Sequence, residues 1–278
     1  MSRPEEVRST VTASYTRAVL QLGTGCCGGG AKGVAARVAG YQSEELAALP
    51  ADAVANSFGC GNPVAFAGVQ EGQVVLDLGS GAGIDLLLAA RKVGPTGKVI
   101  GVDMTEAMIE RARANAAAAG LSNVEVRRGI IEELPVESSS VDWVISNCVI
   151  NLSPEKDRVF AEIARVLKPG GRVLVSDIVA EDLPAAVREN PDLHCQCVAG
   201  AISEAEYLAA LEQAGFTEAS VEDRLFYDPE QLQALVESEL AGQAASCCGS
   251  SLADLSADLV ASFAGKVWSA RVSATKPV

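Results

Sequence analysis

The chain has 278 residues, 49% of them hydrophobic, enough to build a sizeable core and either one large domain or a domain with an appendage. Its 36 acidic and 22 basic side chains leave a net charge of −14, which repels phosphate and argues against nucleic acid as a partner. No apolar run approaches the roughly 18 residues of a membrane span, and residues 1–10 lack the apolar core of a secretory signal, so a cytoplasmic protein without a membrane partner is expected.

Residues 4–22 set Val7, Val11, Tyr15, Val19 and Leu22 at spacings of four and three, which predicts an amphipathic helix. The glycine-rich LGTGCCGGGAKG follows and carries the vicinal pair Cys26 and Cys27. Helical stretches around 34–39 and 43–49 lead to FGCGNPVAFA, where Cys60 stands between two glycines just ahead of a proline-started helix.

Residues 73–103 organise the rest. The apolar run 74–78, which contains Asp77, reads as a strand, and a turn with Gly79, Ser80, Gly81 and Gly83 leads into an amphipathic helix over 84–93. A second apolar run, 98–102, ends in Asp103 and Met104. Glycines let the backbone turn sharply and approach a ligand, and the helix start offers free N–H groups. Asp103 can accept hydrogen bonds from both hydroxyls of a ribose, so the βαβ unit predicts a site for a nucleoside-like cofactor. The spacing is G-x-G-x-G, with Asp77 two residues before the first glycine, so it departs from the dinucleotide fingerprint G-x-G-x-x-G and makes NAD the weaker reading.

Downstream, a helix is expected over 106–119 and a strand over 123–128, followed by GIIEELP with Ile131 and Glu132. A strand over 141–146 delivers Asn147 and Cys148 to the C-terminal edge of the sheet, where open α/β folds bind ligands. A helix over 155–167 stops at KPGG, and 172–177 reads as the fifth parallel strand. An insertion over 181–202 carries His194, Cys195 and Cys197, and Ser203 with Glu206 forms a capping box for the next helix. A strand over 219–227, a helix over 229–240, the pair Cys247 and Cys248, a further helix and a last strand over 266–274 complete the chain. The pattern predicts an α/β fold: a Rossmann-like, seven-stranded sheet of five parallel strands and late antiparallel partners, with helices on both faces, an N-terminal helical segment and a C-terminal α+β extension. Three segments are expected: 1–70, a cofactor-binding core over 71–180, and the insertion with the extension over 181–278. No heptad pattern or long exposed apolar strand stands out, so a monomer is expected.

Eight cysteines accompany a single histidine, and none makes C-x-x-C, so a zinc knuckle is not suggested. Thiols in a cytosolic chain stay reduced, and disulfides are not assumed. Cys60, Cys148 and Cys197 all fall in loops or strand ends on the cofactor side of the sheet. Each alone reads as a small buried hydrophobe; together they could form a pyramidal cage about a trivalent metalloid.

DLGSGAG, with VIGVDM one strand later, resembles the first two cofactor motifs of Rossmann-like S-adenosylmethionine methyltransferases. GCGNP, DLGSGAG, GKVIGVDM, SNCVINLSPEK, RVLKPGGR, SDIV and CVAGA, in order across 50–215, resemble the arsenite methyltransferase family. The resemblance implies that Gly79, Ser80, Gly81 and Gly83 hold the methionine part of the cofactor, Asp103 the ribose, and Ile131 and Glu132 the adenine, with Asp77 among the cofactor contacts. Met104 and Asn147 join the implied cofactor contacts, and the resemblance makes the N-terminal helix a helical lid that brings Tyr15 to the cofactor. It also implies that Cys60, Cys148 and Cys197 bind As(III), with Cys195 close enough to compete with Cys197. The substrate would arrive as a thiol adduct, with glutathione or thioredoxin as reductant. The pairs Cys26-Cys27 and Cys247-Cys248 could each chelate one arsenic atom. Two other readings stay open: a methyltransferase acting on carbon or nitrogen of a small metabolite, its cysteines merely buried, and a non-catalytic arsenical-binding or redox-sensing module.

Overall fold

The computed structural model describes residues 4–21, 41–63, 68–188, 197–227 and 265–278. Helix α1 (Pro4–Gln21) comes first and buries Val11 and Val19 while Leu20 faces solvent. Two short helices follow, α2 (Ser43–Ala47) and α3 (Ala51–Ala55). The alternating core is β1 (Val74–Leu78), α4 (Ile84–Val93), β2 (Lys98–Asp103), α5 (Glu106–Ala118), β3 (Val124–Arg128), β4 (Val141–Asn147), α6 (Lys156–Val166) and β5 (Leu167–Ala180). After it come α7 (Ala185–Arg188), α8 (Glu204–Gln213), β6 (Thr217–Phe226) and β7 (Val267–Thr275).

The seven strands form one sheet in the order β3-β2-β1-β4-β5-β7-β6. Strands β1 to β5 pair in parallel, and β7 runs antiparallel between β5 and β6. The strand order reverses between β1 and β4, which opens a crevice beyond their C-terminal ends. Successive side chains of a strand point to opposite faces, and two cores result. Leu76, Leu78, Val144 and Val175 meet Phe160, Ile163 and Tyr207 on one face, where the Phe160 and Tyr207 rings stand edge to face at 5.3 Å. Val75, Val99, Ile145 and Leu174 meet α4 and α5 on the other.

Two features differ from the sequence reading. Helix α4 is buried almost all round, with only Arg91 and Lys92 exposed, because Leu49, Ala53 and Tyr41 from the preceding segment cover the side turned away from the sheet. The helix stops ahead of KPGG as expected, but the fifth strand starts earlier than 172: β5 begins at Leu167, opposite Val141, and the segment stays extended because Gly170 N donates to Lys276 O and Lys276 N donates to Gly171 O, at 2.9 and 2.8 Å. The expected proline-started helix after Asn62, the stretch around 34–39 and the helices after residue 228 lie outside the described residues. No helix among the described residues is long and apolar enough to cross a membrane.

Candidate functional site

Strand β1 hands the chain to a turn in which Gly79, Gly81 and Gly83 all have positive φ, 61°, 51° and 98°, a region that L side chains avoid. The turn lies against β2 closely enough that a Cβ on Gly101 would stand 2.7 Å from Ser80 Oγ. A Cβ on Gly79 would strike Val149 at 2.4 Å, whereas one on Gly81 would meet nothing nearer than 4.0 Å, so the backbone at Gly81 faces open space. That space is a pocket of about 980 Å³, solvent at its mouth included, at the C-terminal edge of the sheet.

Asp103 closes one side. Its Oδ2 accepts from Gly81 N at 2.9 Å and its Oδ1 from Thr105 N at 2.8 Å, so the acid at the tip of β2 also clamps the glycine turn. Burial raises its pKa, and those backbone N–H groups oppose the rise. Burial, followed by the charges of Asp85 and Asp103, pushes the Asp77 carboxyl well above the usual carboxylate range. Asp77 Oδ2 and Ser80 Oγ are buried at the pocket wall without a hydrogen-bond partner. An unpaired buried acceptor and hydroxyl beside an open glycine backbone fit the charged amino-acid end of S-adenosylmethionine.

The opposite wall is made by Ile131, Glu132 and helix α1. Glu132 Oε1 accepts from Ser153 Oγ at 2.6 Å and from Arg8 Nε at 3.3 Å, and Arg8 also pairs with Glu155. Tyr15 of the same helix lines the pocket and stands edge to face with Phe58, ring centroids 5.7 Å apart. Met104 lines the pocket as well and packs on the cysteine cluster described next.

Cys60, Cys148 and Cys197 are buried in one apolar cluster with Val11, Leu152, Ile178 and Val198. Cys60 and Cys148 are joined by a disulfide, Cα atoms 5.9 Å apart, across 88 residues of sequence. This corrects the expectation of reduced thiols at these two positions: the folded sheet edge brings their Cβ atoms within bonding range. Cys197 Sγ donates to the carbonyl of Cys148 at 2.6 Å. Cys148 and Cys197 both hold positive φ, 59° and 63°, each a cost of roughly 1–3 kcal/mol that surrounding packing must offset. Among the described residues no group of three or more His, Cys, Asp or Glu side chains stands ready to hold a metal ion. Cys26, Cys27, Cys195, Cys247 and Cys248 lie outside the described residues, as does His194.

The profile of a family described as a methyltransferase domain matches residues 70–215. An arsenite methyltransferase of Halobacterium salinarum is 49% identical over 228 residues, a match covering 77% of this chain and 58% of that protein. One from Aquipseudomonas alcaligenes is 40% identical over 172 residues, covering 59% of this chain and 49% of that protein. The crystal structure of an arsenic(III) S-adenosylmethionine methyltransferase from Chlamydomonas reinhardtii matches with a TM-score of 0.65 and 34% identity, over 84% of this chain and 72% of that one. The chain belongs to the arsenite methyltransferase family. It spans 58% and 49% of the length of the two curated relatives.

Several residues of this arsenite methyltransferase family member shape the site without having been expected from sequence. Tyr41 donates to Asp85 Oδ1 at 2.8 Å, and burial lifts Asp85 to about 6 although Asn147 and Tyr41 both donate to it. Asp177 at the end of β5 is fully buried and accepts from Asn151 Nδ2 and Ile178 N; burial, only partly opposed by its hydrogen bonds and the Lys156 charge, raises it to about 7. Lys156 Nζ donates to Asn151 O and Ser153 O, and burial lowers its pKa against the charges of Asp177, Cys197 and Glu132. Asp85 stands two residues after the last glycine of the turn, a position that could have flagged it. Nothing near Tyr41 in the sequence signals its partner.

Proposed function

We propose that the chain is an S-adenosylmethionine-dependent arsenite methyltransferase acting on thiol-bound As(III). The observation that carries this reading is the convergence of Cys60, Cys148 and Cys197 in one buried cluster whose Cys148 also lines the pocket beside the glycine turn. Asp77, Ser80 and the backbone of Gly79, Gly81 and Gly83 would hold the methionine end of the cofactor. Asp103 and Met104 would take the ribose, Ile131 and Glu132 the adenine, and Tyr15 would cover it from α1.

Reduction of the Cys60–Cys148 disulfide by a thiol such as glutathione or thioredoxin opens the site: two reductant thiols become one disulfide, and two protein thiols are released. With Cys197 these supply three soft sulfur donors to one trivalent arsenic, which displace the thiols it arrives on. When bound, S-adenosylmethionine would supply an electrophilic sulfonium methyl to the arsenic lone pair, with S-adenosylhomocysteine as the leaving group. The arsenic lone pair would become the arsenic–carbon bond while the electrons of the carbon–sulfur bond stay on the departing sulfur, and no general base is required. The protein contributes orientation of the lone pair and exclusion of water by the apolar walls; positioning of this kind lowers a barrier by about 7–11 kcal/mol in favourable cases.

The deciding assay incubates the full chain with arsenite, glutathione or thioredoxin, and S-adenosylmethionine, and follows methylated arsenic by mass spectrometry. Products that require arsenite are the expected result. Tight binding of arsenite and cofactor without turnover would replace the reading with a sensor, and absence of arsenite binding by the reduced chain with a metabolite methyltransferase.

A further inference from the structure

The side chain of Asn147 is committed on every edge. Its Oδ1 accepts from two consecutive backbone N–H groups, Cys60 at 3.0 Å and Gly61 at 3.2 Å. Its Nδ2 lies 2.6 Å from Gly61 O, 2.9 Å from Asp85 Oδ2 and 3.0 Å from the Tyr41 hydroxyl oxygen. Donors on one side and acceptors on the other fix the amide's orientation, since the flipped group would face N–H with N–H. Tyr41 in turn donates to the second oxygen of Asp85, so the three side chains brace one another.

The glycines around Cys60 answer to the same contact. A Cβ on Gly59 would stand 2.2 Å from Asn147 Nδ2, and one on Gly61 would stand 2.6 Å from Ser176 Cβ. The GCG segment therefore lies flat on the tips of β4 and β5, pinned there by Asn147. Asn147 is also the residue immediately before Cys148 in the chain. One side chain thus ties the backbone of the first thiol to the strand end that carries the second.

We propose that Asn147 is a positioning residue that sets Cys60 against Cys148 as two of the three sulfur ligands to arsenic, with its amide engaged by the protein and not by the cofactor. The assignment rests on the arsenic reading for its ligand, but the geometry of the two thiols can be tested without arsenic. In the reduced chain Asn147 keeps the GCG segment against the end of β4, so that both sulfurs stay within reach of one centre. Tyr41 and Asp85 keep the amide from rotating away.

The test equilibrates the full chain, wild type, Asn147→Ala and Tyr41→Phe, in glutathione redox buffers. The Cys60–Cys148 disulfide is quantified by peptide mass spectrometry, which gives the effective concentration of one thiol toward the other. S-adenosylmethionine binding by calorimetry, and As(III) binding to the reduced chain, are measured beside it. Asn147→Ala is expected to lower the effective concentration about tenfold or more, and to raise the arsenite dissociation constant and KM by about tenfold or more with the cofactor constant within about twofold. Tyr41→Phe moves the same quantities in the same direction by less. An unchanged effective concentration in Asn147→Ala overturns the proposal, as does a loss confined to cofactor affinity. If Asn147→Ala does not fold, Tyr41→Phe decides alone, and an unchanged disulfide equilibrium in it is the overturning result. A wild-type chain that binds no arsenite refutes the arsenic reading, while the disulfide equilibrium still judges the role of Asn147.

Discussion

Arg8 reaches from the first two turns of helix α1 to Glu132, Nε to Oε1 at 3.3 Å, and so fastens the N-terminal helix to the wall of the pocket that it overhangs. The Glu132 side chain is 3% exposed and that of Arg8 18%, so the pair is largely withdrawn from water and removing one partner leaves a buried charge unmatched. Val11 and Tyr15 follow one and two turns later on the same face, in the cysteine cluster and the pocket lining. The latch and these apolar contacts together hold α1 beside the pocket.

Replacing Arg8 by Met keeps the aliphatic stem and removes the latch. Cofactor affinity is expected to fall about tenfold, equivalent to about 1.4 kcal/mol, with arsenite affinity little changed. Calorimetric titration with S-adenosylmethionine and S-adenosylhomocysteine reads this directly. Affinity equal to wild type would mean that α1 is held closed by its apolar contacts alone.

Asp103 joins two jobs, clamping Gly81 N and Thr105 N while facing the pocket. Asp103→Ala frees the glycine turn and removes the acceptor expected to meet the ribose. A loss of about 1.5–3 kcal/mol in cofactor binding, roughly 10- to 150-fold, follows from the usual strength of hydrogen bonds to a charged group. Fluorescence or calorimetric binding checks it, with a melting curve to confirm that the sheet survives.

Cys148→Ser and Cys197→Ser each remove one soft donor from a buried cluster while changing little volume. Both are expected to abolish arsenic methylation and to leave S-adenosylmethionine affinity within about twofold of wild type. Methylated products at the wild-type rate from either variant would remove that cysteine from the ligand set. Only Cys148→Ser should also abolish the disulfide with Cys60.

Asp177 binds its proton at about 7 in the folded chain and near 3.8 when unfolded. Between those values the native state holds more protons than the unfolded state, so this group's contribution to stability is present in full below about pH 4 and is lost as pH rises toward 7. The loss is at most about 4 kcal/mol. Asp177→Asn cannot titrate and should flatten the denaturation midpoint over that window, while keeping an oxygen for Asn151 and Ile178. Parallel urea curves at pH 4.5, 5.5 and 6.5, values chosen at about equal steps across the window, provide the measurement. Identical slopes against pH in the two proteins would contradict the raised pKa.

The chain sequence alone determined the parallel core. Val74–Leu78 and Ile84–Val93 occur at the residues that the apolar runs and the glycine turn predict. Those elements are legible because their causes are local: glycines tolerate the positive φ of the turn, β-branched and leucine runs suit a strand buried on both faces, and Asp103 follows its strand directly. The antiparallel end was legible as strands but not in its order, because nothing local says that β7 enters between β5 and β6. The site divides in the same way. The glycine turn and Asp103 could be read from adjacent residues, and Cys60, Cys148 and Cys197 could be singled out by residue type and resemblance. Their meeting, the disulfide between two of them, and the brace of Tyr41, Asp85 and Asn147 were decided only by tertiary structure. These contacts join residues 44 to 106 positions apart. Closing such distances draws its free energy from burial of the whole sheet, so no local propensity in the sequence encodes which polar groups will meet at its edge.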